Sequence, residues 1–392
     1  MADLVSQRNS KYGSPLGLGI VVLVGFAFYF VLNTVKGFSV IPDYNTVVQN
    51  IHGSGTLFWF FMNFTEPNFF AGFCSSILIL VGAAVAWFLA LRGSRWAGFE
   101  ICYGAAKIWP WVFASQILSL VLIMFGLNYM SLFKEGVTWI PTFIAIVNVP
   151  PALVLMYGPG VATLLTVSVI GAFICTPTAV WLSKVFAPWN IPGVVSNVSA
   201  MAVAGVIGAA ACQALPWMKK RGVAPISSPI PLKNNTRSAS WLVRRVVADF
   251  TEPLFYGNEV AGAFLLIGVL LDTILNPGLS AYGGQCIGAV VLSEMIAGGV
   301  GVFLYADKWE QKGWYATYVP VVSSAPACAM MFGSTLHAAV FAGILGAVIG
   351  APLAEFCSNK MPDYVPGTVA NVSAMAISTI IVAATMQALP WF

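Results

Sequence analysis

A 27-residue segment occurs twice in this chain of 392 residues. Residues 191–217 read IPGVVSNVSAMAVAGVIGAAACQALPW, and residues 365–391 read VPGTVANVSAMAISTIIVAATMQALPW. Seventeen of the 27 positions are identical at a constant offset of 174. Apolar composition alone does not reproduce Pro-Gly, Asn-Val-Ser-Ala-Met and Gln-Ala-Leu-Pro-Trp in one register, so the chain contains an internal duplication.

Shorter matches extend the duplication along the chain. They are Phe-Thr-Glu-Pro at 64–67 and 250–253, Ser-Gln at 115–116 with Ser-Glu at 293–294, and Met-Tyr-Gly at 156–158 with Met-Phe-Gly at 331–333. The offset drifts from 186 to 175, which indicates loops of slightly different length. The sequence thus predicts an N-terminal transmembrane helix and external loop (1–52), repeat unit 1 (53–218), a basic cytoplasmic linker (219–249) and repeat unit 2 (250–392).

The scarcity of charge identifies the solvent of this fold. Hydrophobic residues make up 59% of the chain and charged residues only 8%, against about 25% charged residues in an ordinary soluble domain. Because so few charges cannot cover a water-facing surface, the chain is expected to lie in a lipid bilayer. The net charge of +4 is no sign of nucleic-acid binding, and the seven cysteines show no CxxC pairing that would suggest a metal site or disulfides.

Counting apolar segments gives the fold class. A membrane-spanning helix needs about 20 apolar residues. After a leading helix near 16–32, unit 1 offers segments near 66–91, 107–131, 139–157, 159–183 and 192–217, and unit 2 offers 252–274, 285–306, 315–332, 334–357 and 366–391. Prolines at 150, 151 and 326 interrupt the third segment of each unit. We predict an all-α polytopic bundle of about 11 transmembrane helices, arranged 1 + 5 + 5, with proline-broken helices.

The distribution of basic residues predicts the orientation. If every segment crosses and the linker is cytoplasmic, 15 of the 18 Lys and Arg residues face the cytoplasm, which obeys the positive-inside rule. Only Lys36, Lys134 and Lys184 then lie outside. Because five is odd, unit 2 is inverted relative to unit 1. The expectation is a multi-pass protein of the plasma (inner) membrane, with the N-terminus cytoplasmic and the C-terminus external.

Polar residues at matched positions are the candidates for a solute site, because inverted repeats around broken helices are a transporter architecture. The candidate substrate-binding residues are Asn197, Ser199, Asn371, Ser373, Asn148, Ser323 and Gln116. Carbonyls freed by the prolines near Asn148 and Ser323 would suit a bound sodium ion, and no other cofactor is expected. The alternative is structural: amide and hydroxyl side chains join membrane helices, and prolines make packed kinks.

Glu294 stands near the centre of a span, where its counterpart in unit 1 is Gln116. A carboxylate at mid-bilayer is costly and is functional by default. We therefore expect Glu294 to bind the coupling proton or ion, with a neutral, hydrogen-bonded core residue as the alternative.

The duplicated Thr-Glu-Pro motif supplies Glu66 and Glu252 as possible gate residues. Helix capping by Thr, Glu and Pro is an equally sufficient explanation. The segment TEPLFYG resembles the ITEP-type motif of phosphotransferase-system sugar permeases. That resemblance covers only these few residues, and it implies that the glutamate binds sugar.

Together these features predict a secondary active transporter, coupled to protons or sodium, for a small polar solute that is neutral or zwitterionic. The alternatives are a passive channel of the same five-plus-five architecture, a phosphotransferase-type sugar permease, and a membrane enzyme or subunit of a larger complex. No nucleophilic triad or phosphate-binding loop appears in the sequence, so we expect no enzyme activity. The expected partners are the solute and the bilayer; a homo-oligomer stays open.

Overall fold

A computed structural model describes residues 11–104, 106–219 and 236–392. These residues are helical and form no β-strand. The helices are α1 (Pro15–Thr34), α2 (Tyr44–Gln49), α3 (Gly55–Met62), α4 (Phe73–Leu91), α5 (Trp109–Val121), α6 (Val149–Tyr157), α7 (Val161–Phe186), α8 (Val194–Ala214), α9 (Ala239–Asp249), α10 (Glu259–Leu275), α11 (Ile287–Leu304), α12 (Ala306–Lys312), α13 (Ser324–Met331), α14 (Leu336–Ser358) and α15 (Gly367–Gln387).

Eight helical segments in the described part of the chain are long and apolar enough to cross a membrane. They are Pro15–Thr34, Phe73–Leu91, Trp109–Gly126, Val161–Trp189, Val194–Ala214, Ile287–Leu304, Leu336–Ser358 and Gly367–Gln387. The three remaining segments of the expected eleven are α10, which has only 17 residues, and the proline-broken third segment of each unit. The protein is therefore a helical, membrane-embedded protein.

Apolar side chains on the outside of the bundle support that environment. On α1, Leu16, Leu23 and Phe30 are 69%, 70% and 57% exposed. Their spacing of seven residues places them on one face of the helix. The opposite face of α1 packs closely on unit 2, since a Cβ built at Gly25 would lie 3.0 Å from Cβ of Met295 on α11. An apolar outer face of this kind is more stable in contact with lipid than in contact with water.

Helices α4 and α10, which occupy the same place in the two units, run antiparallel against each other. A Cβ at Gly268 would lie 2.3 Å from Cα of Ser75, and a Cβ at Gly82 would lie 2.9 Å from Cα of Ala261. At the offset of 186, Gly82 corresponds to Gly268 and Ser75 to Ala261, so the two contacts are the same contact made reciprocally. Two glycines thus allow equivalent helices to cross at backbone distance.

The third segment of each unit is broken at the expected place. In unit 1 a 3₁₀ helix (Thr142–Val147) meets α6 at Asn148, whose φ and ψ are −134° and −113°. In unit 2, α13 begins after Ser323, at −147° and −92°. The unit 1 segment lies antiparallel to α7: the Thr176 hydroxyl is 3.4 Å from the Pro141 carbonyl oxygen, and a Cβ at Gly171 would lie 2.4 Å from Cγ of Pro150.

Part of the segment expected to be a linker is a helix. α9 (Ala239–Asp249) is the counterpart of α3, and it packs beside α1, where a Cβ at Gly17 would lie 3.0 Å from Cα of Ala239. Arg245 on α9 is buried, so it does not belong to a solvated basic loop. Polar and basic composition concealed this strongly amphipathic helix, whose apolar face is covered. Residues 1–10 and 220–235, which hold Arg8, Lys220, Arg221 and Lys233, lie outside the described residues.

Candidate functional site

The two Thr-Glu-Pro motifs form the same turn. Glu66–Asn68 and Glu252–Leu254 are single 3₁₀ turns, each followed by a phenylalanine in the left-handed region. The Thr65 hydroxyl accepts from the Gly72 N–H (3.0 Å), and the Thr251 hydroxyl accepts from the equivalent Asn258 N–H (2.9 Å). The motif therefore closes a loop that ends directly before α4 and α10, and its threonine is not the N-cap residue of those helices.

The glutamate of each motif is hydrogen-bonded to a tyrosine of the other unit. The Tyr103 hydroxyl of unit 1 donates to Glu252 Oε2 at 2.6 Å, and the hydroxyl of Tyr282, its counterpart in unit 2, is hydrogen-bonded to Glu66. Both tyrosines have φ of 59°, a strained value for a bulky residue. This exchange of partners places the two glutamates at the junction of the units.

Backbone pairing fixes this exchange. The Cys102 N–H donates to the carbonyl of Tyr256 at 3.1 Å, and the Ala281 N–H donates to the carbonyl of Phe70 at 2.7 Å. Cys102 and Ala281 directly precede the two tyrosines. Because backbone hydrogen bonds do not depend on the side chains, they hold both tyrosines at equivalent places despite the different residues around them.

A polar network behind each glutamate is neutral in unit 1 and charged in unit 2. In unit 1, the Thr142 hydroxyl donates to Asn63 Oδ1 (2.6 Å) and accepts from the Trp59 indole N–H (2.9 Å). The equivalent residues of unit 2 are Thr317, Asp249 and Arg245 at offsets of 175 and 186.

In unit 2 the charges are closely paired. The Thr317 hydroxyl donates to Asp249 (2.8 Å), and Arg245 donates to Asp249 (3.0 Å) and to Glu252 (2.7 Å). Glu252 therefore has a buried guanidinium partner. Among the residues that the structure describes, the donors to Glu66 are the neutral side chains of Trp139 and Tyr282.

A cavity of about 730 Å³ lies between the two glutamates. Its polar lining residues are Asn45, Glu66, Thr138, Ser183, Ser196, Asn197, Glu252 and Thr368, and its aromatic ones are Tyr44, Phe69, Trp139, Phe143, Phe186, Phe255, Tyr282 and Tyr318. Asn45, Ala187 and Gly193 are exposed at its mouth, whereas both glutamates are buried. Within residues 11–104, 106–219 and 236–392, no Lys, Arg or His lines it.

At the end of the molecule where α9 begins, here called the linker end, ion pairs join the chain. Arg237 binds Glu310 at 2.7 Å, and Glu355 accepts from Lys312 (2.6 Å), Lys308 (3.2 Å) and Tyr315 (2.8 Å). Glu310 lies outside the membrane spans, and its hydrogen bond to Arg237 lowers its pKa. The linker end therefore carries paired charges, and none of these residues lines the cavity.

The residues suggested by the sequence take different places around this cavity. Asn197, Glu66 and Glu252 line it. Asn371 donates to the hydroxyl of the lining residue Tyr318 at 3.0 Å. The other candidates are not lining residues: Asn148 donates to the Met201 carbonyl, Ser323 and Ser373 donate to carbonyls of their own segments, and Ser199 is half-buried on α8.

Glu294 and Gln116 differ in their hydrogen bonds. The Gln116 amide donates to the carbonyls of Ile146 (2.8 Å) and Leu254 (3.2 Å), and its oxygen accepts from the Tyr256 hydroxyl (2.9 Å). Glu294 is fully buried, and neither carboxyl oxygen has a hydrogen-bond partner among the described residues. The counterpart of Tyr256 is Phe70, which has no hydroxyl to donate.

Sequence reasoning missed Tyr103, Tyr282, Trp139, Arg245 and Asp249. A signal for the tyrosines was present, because Tyr-Gly occurs at 103–104 and again at 282–283 in corresponding loops. Trp139 likewise has a counterpart, Trp314, at the offset of 175. No family model, curated protein or solved structure matches the chain, so the site stands on its own geometry.

Proposed function

We propose that the protein is a secondary active transporter. It moves a small polar solute across the membrane by alternating access at the interface of two inverted units. The observation that carries this proposal is the cavity that holds both copies of the Thr-Glu-Pro glutamate. A cavity shared by two equivalent units can open first at one end and then at the other, because each unit can adopt the conformation of its counterpart.

The inversion is supported by α4 and α10. Equivalent helices that pack antiparallel with reciprocal contacts are related by a two-fold axis perpendicular to their length. If both helices span the bilayer, that axis lies in the membrane plane and the units face opposite ways. Eleven crossings follow if α10 and both broken third segments also cross.

Reporter fusions test the inversion. A reporter after Trp217 should read cytoplasmic, and one at Phe392 should read external, as an odd number of crossings in each unit requires. A cytoplasmic reading at Phe392 would remove the inverted arrangement.

A difference between two equivalent tryptophans supports a second conformation. Trp139 donates its indole N–H to Glu66, whereas the buried indole N–H of its counterpart Trp314 has no partner. Trp314 lies close to Tyr103, with ring centroids 6.3 Å apart, and Tyr103 binds Glu252. In the exchanged state Trp314 donates to Glu252, and Trp139 is released from Glu66.

Glu294 supplies the coupling. A buried carboxyl without a donor must hold a proton or a cation. Gln116 keeps the same shape without charge and is fully hydrogen-bonded. Glu294→Gln therefore reproduces in unit 2 a residue that unit 1 already tolerates.

The functional test uses proteoliposomes and a solute found by thermal-shift screening of metabolites. A carrier shows saturable counterflow, and ion-driven accumulation should disappear in Glu294→Gln while solute exchange remains. Accumulation by Glu294→Gln with the pH and sodium dependence of the wild type would show that coupling lies elsewhere. Flux without saturation or counterflow would indicate a channel.

A further inference from the structure

The cavity offers a carboxyl group, Glu66, that forms no ion pair with any residue that the structure describes. Two donors, the Trp139 indole and the Tyr282 hydroxyl, bind this buried carboxyl group, and a cation placed beside it would favour its ionised form. None of the lining residues in the described part of the chain is a Lys, Arg or His. The equivalent Glu252 differs, since Arg245 lies 2.7 Å from it with its side chain 6% exposed. Among the described residues, one of the two duplicated glutamates therefore has a cationic partner, and the other has none.

A second acceptor in the same cavity lacks a donor. Asn197 lines the cavity and is 8% exposed, and its carboxamide oxygen accepts no hydrogen bond. Its counterpart Asn371 is paired with Tyr318, and the residue equivalent to Tyr318 in unit 1 is Phe143, which has no hydroxyl. An unpaired buried amide is costly, and a solute that brings hydrogen-bond donors would remove that cost.

Aromatic rings surround Glu66. Trp139 and Tyr282 contact the carboxylate, and Tyr44 packs edge-on to Tyr282 with ring centroids 5.9 Å apart. The faces of such rings attract cations and repel anions. A neutral hydroxyl group would satisfy the acceptors but bring no counter-charge to the buried Glu66 carboxyl group, whereas an ammonium group would supply one.

We infer that the solute of this cavity is a small organic cation with a protonated primary or secondary amine, whose ammonium group binds Glu66 while its N–H or hydroxyl donors reach Asn197. This inference rests on the proposed transport function and narrows the substrate class. It replaces the neutral or zwitterionic solute expected from the sequence.

A matched set of three probes tests the charge. 4-Amino-1-butanol, 1,4-butanediol and 4-hydroxybutanoate have similar length and differ in one end group, which is cationic, neutral or anionic; glucose is added as a sugar. Binding to the full-length protein in detergent is measured by calorimetry at millimolar probe concentrations. The amine should bind, and the diol and the carboxylate should bind at least tenfold more weakly, since a charge-assisted hydrogen bond is worth about that factor.

Variants connect the preference to Glu66. Glu66→Gln should weaken binding of the amine by at least tenfold and remove the preference over the diol. Glu135→Gln removes one carboxylate from an exposed position outside the cavity lining, and it should leave the preference unchanged. A Glu66→Gln protein that still binds the amine as tightly as the wild type would overturn the assignment of Glu66.

The outcomes separate this inference from the transport proposal. If glucose or the diol binds as tightly as the amine, or if the amine does not bind, the cation assignment fails. Saturable counterflow of whatever solute does bind would still support the transporter. If the amine binds with the expected preference but shows no counterflow, the cation site stands and the transport proposal fails.

Discussion

Removal of Arg245 should strongly destabilise the protein. Its guanidinium lies 3.0 Å from Asp249 and 2.7 Å from Glu252, and all three side chains are at most 6% exposed. Arg245→Met would leave two carboxylates buried without a cation, which costs about 3–5 kcal/mol in comparable sites. With an unfolding entropy of about 2.1 cal/mol/K per residue, the 392 residues give about 0.8 kcal/mol/K, so Tm should fall by about 4–6 °C.

Unit 1 supplies the compensating change for this experiment. The residue equivalent to Asp249 is Asn63, and that network contains no charge. Arg245→Met combined with Asp249→Asn should therefore recover at least half of the lost stability. Arg244→Met is the matched control, because Arg244 is 43% exposed in its ion pair with Glu259, and such pairs contribute about 0–1 kcal/mol.

Thermal unfolding in detergent, followed by circular dichroism, measures these changes. The reasoning is refuted if Arg245→Met unfolds within about 1 °C of the wild type, or if the double variant is less stable than the single one. The second result would mean that Asp249 is stabilised by groups other than Arg245.

Two further variants probe the packing of the units, each with a control that makes no such contact. Gly268→Ala should lower Tm, because its Cβ would lie 2.3 Å from the Ser75 backbone and overpacking costs about 1–3 kcal/mol. The control is Gly19→Ala, whose Cβ would meet nothing within 4 Å and which should not lower Tm. Equal Tm values for the two variants would contradict the close crossing of α4 and α10. Thr142→Val should lower the free energy of unfolding by about 1–3 kcal/mol, since it leaves Asn63 and Trp59 without their shared hydrogen-bond partner. Its control, Thr385→Val, removes only an exposed hydrogen bond to the Ile381 carbonyl. The argument fails if denaturant titration gives the same loss of stability for both variants.

The sequence predicted what depends on local pattern. Duplication, apolar length and the backbone breaks at Asn148 and Ser323 follow from residues close together in the chain. The sequence also identified Glu66, Glu252 and Asn197, which line the cavity, because all three lie in repeated motifs. These are properties that a repeat reveals without knowledge of how the units meet.

The remaining parts of the site depend on contacts between distant segments. Tyr103 and Glu252 are 149 residues apart, and the two units exchange their tyrosines. Arg245 was assigned to a solvated linker, because its burial depends on Asp249 and Glu252 lying beside it in the fold. Sequence spacing does not encode which unit completes which glutamate, and it does not distinguish a polar residue that faces the cavity from one that joins two helices.

Distances between spin labels test alternating access most directly, without a known solute. One pair, at Asn45 and Ala187, spans the exposed mouth of the cavity, and a second pair, at Gln311 and Asn359, lies on exposed positions near Glu355 at the linker end. Trp139→Phe removes the hydrogen bond to Glu66 that belongs to the present state, so it should shift the population towards the exchanged state. We predict that the distance between the two mouth labels then decreases while the distance between the two linker-end labels increases. Distances that stay unchanged, or that change in the same direction at both ends, would contradict the account.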